Sequence, residues 1–159
     1  MAGDIRAKER AIVTLTSSGA SLTNGSAGVA NGTADLDARS TGNVPDDLRV
    51  RFELTCQWAT ITRITAGLVV AELYLVPLLD GTNLPDIDTT AGSSRLPYSC
   101  MVTEFEVPKA PVANTNMRLI SRPVDIDPFL YRPYLKNVSG QTKSANWTLR
   151  AVGVQGQYT

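Results

Sequence analysis

Across 159 residues the chain carries 15 Lys and Arg against 15 Asp and Glu, and no histidine. One core suffices for that length, and without a basic surplus neither nucleic acid nor an acidic membrane surface is expected as a partner. The missing histidine also removes the commonest general base near neutral pH and any Ser-His or Cys-His pair, so no enzymatic activity is expected.

From the start, residues 1–10 carry Asp4, Arg6, Lys8, Glu9 and Arg10 before any apolar run, unlike a secretory leader. Residues 11–16 are β-prone, whereas residues 17–47 are dominated by Ser, Thr, Asn, Gly, Ala and Asp and offer little to bury. An extended, partly ordered N-terminal arm is therefore expected over residues 1–47, with a short edge strand within 29–38. Residues 49–58 carry the clearest pattern: Val50, Phe52, Leu54, Cys56 and Trp58 alternate with Arg49, Arg51, Glu53, Thr55 and Gln57, the period of a half-buried strand. Residues 68–76 are apolar except for Glu72, rich in β-branched side chains and closed by Pro77, which predicts a strand covered on both faces. The longest apolar stretch, residues 67–79, is interrupted by Glu72 and Pro77 and falls well short of the roughly 20 residues a membrane helix needs, so a soluble protein is expected. Further strands are predicted at 100–107, 117–122, 130–138 and 147–154, between segments rich in Gly, Pro, Asn, Asp and Ser. The last two are expected to form a hairpin across Asn137-Val138-Ser139-Gly140-Gln141, with Pro133 marking an edge strand or a late start. No capped helical periodicity competes. The expected fold is all-β, an antiparallel β-sandwich or jelly roll over residues 48–159, with the arm ahead of it.

Candidate chemistry is sparse. Three carboxylate pairs, Asp35 with Asp37, Asp86 with Asp88 and Asp125 with Asp127, place both members on one face of an extended segment, where they could hold Ca²⁺ or serve acid-base chemistry. Pro85 and Pro128 mark turns beside two of them, and none has the spaced oxygen ligands of a calcium loop. Solvated loop carboxylates are expected, and no catalytic, cofactor or metal residue is assigned. Cys56, in phase with the buried face of its strand, and Cys100 are expected to be reduced core residues. Trp58 shares that phase and is expected in the core, Trp147 stays open, and Tyr131 and Tyr134 suit the rim of an interface. Asn-X-Ser/Thr triplets begin at Asn24, Asn31, Asn137 and Asn146, a pattern that chance supplies in such a composition.

The run Ala71-Glu72-Leu73-Tyr74-Leu75-Val76-Pro77, then Asp80-Gly81-Thr82-Asn83 and Asp86, resembles a pattern in small virion structural proteins of tailed bacteriophages. In that family the later part resembles Leu135-Lys136-Asn137-Val138-Ser139-Gly140-Gln141, followed by Asn146, Thr148 and Leu149, so the likeness spans most of residues 66–154. It implies a virion structural role, with a jelly-roll capsid decoration or cement protein as the leading expectation. A homo-oligomer located in the virion, binding other virion proteins, above all the major capsid protein, and assembled in the host bacterial cytoplasm is accordingly expected. A tail or head-fibre component that attaches or binds a glycan is the alternative, and a carboxylate-based glycosidase a distant third.

Overall fold

The computed structural model describes residues 5–29, 35–38, 49–78 and 96–158. Ten strands follow in chain order: β1 (Ile5–Gly19), β2 (Ala27–Val29), β3 (Leu36–Asp37), β4 (Arg49–Cys56), β5 (Val69–Pro77), β6 (Met101–Glu106), β7 (Met117–Ile120), β8 (Val124–Asp125), β9 (Leu130–Asn137) and β10 (Trp147–Tyr158). A single 3-10 turn, Tyr98–Cys100, leads into β6. The first sheet runs β1-β10-β4-β7, with β8 also pairing β4. The second runs β2-β9-β5-β6, with β3 also pairing β9. Every pairing is antiparallel. The molecule is a β-sandwich.

Two strands show how sequence sets the layers. In β4 and just beyond it, Val50, Phe52, Leu54, Cys56 and Trp58 are buried, while the alternating positions between them are not. The alternation thus turns one face into the core shared with Leu73, Leu75, Phe105, Leu135 and Leu149. In β5, Ala71, Leu73 and Leu75 join that core, whereas Tyr74 and Val76 pack with Tyr134, Leu96, Cys100 and Met101 in a second, smaller cluster. Residues on either side of the 3-10 turn thereby cover the second face, which is why β5 reads as apolar almost throughout.

The front of the chain lies on its own sandwich. β1 pairs with β10 from Ile5↔Tyr158 to Gly19↔Trp147, and β2 and β3 lie beside β9. Leu15, Leu22, Leu36 and Ala38 are core residues. A few well-placed side chains, with strand pairing that needs no apolar run, are enough to seat a polar segment. Residues 39–48 and part of the segment between β2 and β3 lie outside the described residues.

Two expectations are corrected. Strands β9 and β10 do not form a hairpin: β9 sits between β5 and the β2/β3 pair, and β10 between β1 and β4. The connection, residues 138–146, instead crosses the roughly 10 Å between stacked sheets. Pro133 does not mark an edge, because it is buried within β9 and faces Leu75. The bonds from Leu78 N–H to Leu130 O and from Val138 N–H to Val70 O put the hydrogen-bonded pairs of this ladder at even-numbered β9 residues. The Pro133 nitrogen therefore turns away from β5. It faces the interval between Val29, opposite Tyr134, and Leu36, opposite Tyr131, where the missing N–H removes no bond to β2 or β3.

Candidate functional site

One groove stands out at an end of the sandwich, with a volume of about 950 Å³. Leu75 and Pro77 of β5, Val102 of β6, and Ile126, Phe129 and Tyr131 give it apolar walls, with Arg49 and Asp125 among its polar residues. The register of β4 and β8 places Arg49 opposite Asp125, and their side chains meet at 2.9 Å. Both are mostly exposed, so the pair orients the rim without adding much stability. Phe129 stands edge-on to Tyr131, with ring centroids 6.2 Å apart and planes at 82°. The Tyr131 hydroxyl donates to the Asp127 carbonyl at 3.1 Å, and the Phe129 N–H donates to the same oxygen at 2.8 Å. Asp127 thus serves its turn through its backbone. Such a groove suits an apolar or ring-shaped group with a polar edge.

The other carboxylates are separate. Asp35 receives a forked pair of bonds from Arg132, Nε at 3.0 Å and Nη2 at 3.1 Å, which raises the Arg132 pKa further. Asp86 and Asp88 lie outside the described residues, as do Asp80, Gly81, Thr82 and Asn83. Among the described residues no group of three or more Cys, Asp and Glu comes together in a form that could hold a metal ion.

Burial decides the remaining assignments. Trp58 and Trp147 are both buried, and the Trp147 Nε1–H donates to the Ala20 carbonyl at 2.7 Å. Tyr131 and Tyr134 are buried rather than at a rim, Tyr131 in the main core and Tyr134 under Leu96, Cys100 and Met101, and withdrawal from water raises both phenol pKa values. Both cysteines are free, Cys56 buried and Cys100 half-buried beside the groove. Asn137 is buried, its Nδ2 donating to the Leu22 and Gln141 carbonyls and its Oδ1 accepting from the Ser139 hydroxyl, so that amide fastens a turn. Asn24 accepts from the Gly140 N–H and Asn146 from the Ser18 hydroxyl. Asn31 lies outside the described residues.

Sequence reading missed Lys143. Its N–H and C=O pair with Leu22, and it also bridges Trp58, which fixes the residue between the front segment and the end of β4. Its side chain is wholly buried, and its Nζ has no hydrogen-bond partner among the described residues. Burial lowers the Lys143 pKa to about 7 and pushes the Cys56 thiol up to about 12, each partly offset by the other's charge. A lysine in a polar loop gives no periodic signal that could have announced this.

The sheet margins offer a different kind of surface. β1 and β6 are terminal strands of their sheets. Ile12 on β1 is 58% exposed, and Glu104 and Glu106 on β6 are exposed on the face opposite buried Phe105. No family model matches this chain, and comparison with curated proteins and with solved structures returns no match.

Proposed function

We propose that the chain is a structural subunit of a tailed-phage virion, a capsid decoration protein that stabilises contacts between shell subunits and performs no catalysis. The observation carrying this reading is a sandwich with a terminal strand at a margin of each sheet, β1 and β6, that another chain can extend by strand addition. The two stretches that resemble phage virion proteins support it, because they are neighbouring strands: Ala71 lies opposite Asn137, and Leu73 opposite Leu135. Their shared ladder is the centre of the second sheet, so the likeness concerns a scaffold. Purified protein added to undecorated capsids is expected to bind at a fixed copy number per shell and to raise the temperature at which the shell opens. Electron microscopy should then place it on the head. No binding, or density confined to the tail, sinks the proposal.

The groove favours a second reading, a tail or head-fibre component that binds a glycan. Phe129, 42% exposed, stands there with Arg49 and Asp125 close by. A glycan-array signal lost in Phe129→Ala would promote it.

A further inference from the structure

We infer that copies of this chain associate head to tail, the β1 edge of one adding to the β6 edge of the next, with Arg6 and Lys8 opposite Glu104 and Glu106 of the partner subunit. The inference rests on the assembly reading above and names its self-contact. The first observation is which part of β1 is regular. Pairing with β10 steps residue for residue from Ile5↔Tyr158 to Glu9↔Val154, then shifts between Glu9 and Ile12, Thr14 and Thr16, and Thr16 and Gly19. Irregularities of that kind twist an edge away from incoming strands, so the regular stretch is where a strand can add. This stretch also runs past Gly153, the last β10 residue paired to β4. Over Ile5–Glu9 the described part of the sheet is thus a two-stranded ribbon, a form with little stability of its own.

Charge then selects the occupant. Arg6 and Lys8 occupy alternate positions of that stretch. A symmetric antiparallel pairing of β1 with its own copy requires opposed residues to share a face, so their numbers must sum to an even value. Every such register centred within residues 6–9 sets like charges opposite: Arg6 on Arg6, Arg6 on Lys8, Lys8 on Lys8 or Glu9 on Glu9. Opposed like charges destabilise a ladder. The β6 edge supplies the complement, because Glu104 and Glu106 occupy alternate positions there and have no ion-pair partner among the described residues. β6 lies at the β7 side of the sandwich, the far margin from β1. A contact between opposite margins is heterologous, so it closes a ring when the rotation between copies allows.

Charge reversal tests this on the full-length chain. Sedimentation velocity of the wild type is expected to show an oligomer that dissociates as salt rises. The double variants R6E/K8E and E104K/E106K should each self-associate about tenfold more weakly or worse, and an equimolar mixture of the two should regain assembly, since each then supplies the edge the other needs. Melting temperatures check folding, and if R6E/K8E does not fold, E104K/E106K alone decides. A monomeric wild type, or variants that assemble as it does, overturns the pairing. A wild-type oligomer that meets these expectations but never coats undecorated capsids overturns the decoration reading and supports the pairing.

Discussion

The Lys143 ammonium lies 4.0 Å from the centroid of the Trp147 ring, in a side chain fully withdrawn from water. The ring face attracts the cation, yet a ring cannot replace the hydrogen bonds an ammonium makes in solution. The backbone bonds to Leu22 fix the position whatever side chain it bears. Lys143→Met keeps the stem's packing and removes the charge, so it is expected to stabilise the fold by about 1–3 kcal/mol at pH 7, read as a higher urea midpoint with unchanged slope.

The same group sets a pH dependence. Its pKa falls from 10.5 unfolded to about 7 folded, so the unfolded chain binds more protons between those values and stability rises with pH across that window. Cys56 acts in reverse: its pKa rises from 9.0 to about 12, and its contribution is lost as pH climbs above 9.0. Urea midpoints are therefore expected to increase from pH 7 to 9 and then level off. In Lys143→Met the increase should vanish and the Cys56 decline above pH 9, no longer offset, should appear; an unchanged profile would show that Lys143 reaches water.

Phe52 is wholly buried on β4, between β10 and β7. Its N–H bond to the Ser121 hydroxyl, 2.9 Å, involves the backbone and survives truncation of the ring. Phe52→Ala therefore isolates the cost of a cavity and is expected to destabilise the domain by about 3–5 kcal/mol by chemical denaturation.

The strand with one buried face, β4, was legible because period two is visible without any knowledge of its neighbours. β5 was legible for the opposite reason, since cover on both faces leaves only Glu72 polar. β1 was under-read as an arm: a marginal strand needs few apolar residues, and Leu15 and Leu22 look incidental until β10 and Lys143 are seen beside them. The supposed β9–β10 hairpin failed because adjacency in sequence does not reveal which sheet a strand joins. The Lys143 site needed two distant segments, those of Leu22 and Trp58, brought beside Trp147 four residues on, and no periodic pattern encodes it.

Gly19 is paired with Trp147, and a Cβ built on it would fall within the indole ring. The indole is held by its own bond to the Ala20 carbonyl and by burial, so it cannot swing aside cheaply. Gly19→Ala is expected to destabilise the fold by about 1–3 kcal/mol and to perturb tryptophan emission. Wild-type stability in this variant would mean that the β1 end can move off Trp147.

The front segment supplies the last test. Removing residues 1–45 strips β10 of its β1 partner, exposes β9 where β2 and β3 lie, and takes Leu15, Leu22, Leu36 and Ala38 from the core. Each lost leucine alone is worth about 2–5 kcal/mol by the usual cost of truncating a buried side chain. Small domains hold only about 5–15 kcal/mol in total, so the truncated chain is expected to lose its cooperative thermal transition by circular dichroism. Leu15→Ala grades the effect in an otherwise intact chain: Leu15 is fully buried, and a loss of about 2–5 kcal/mol is expected. A truncated chain that melts cooperatively near the wild-type temperature, together with a neutral Leu15→Ala, would show that the first sheet folds without its marginal strand and that residues 1–45 are an arm after all.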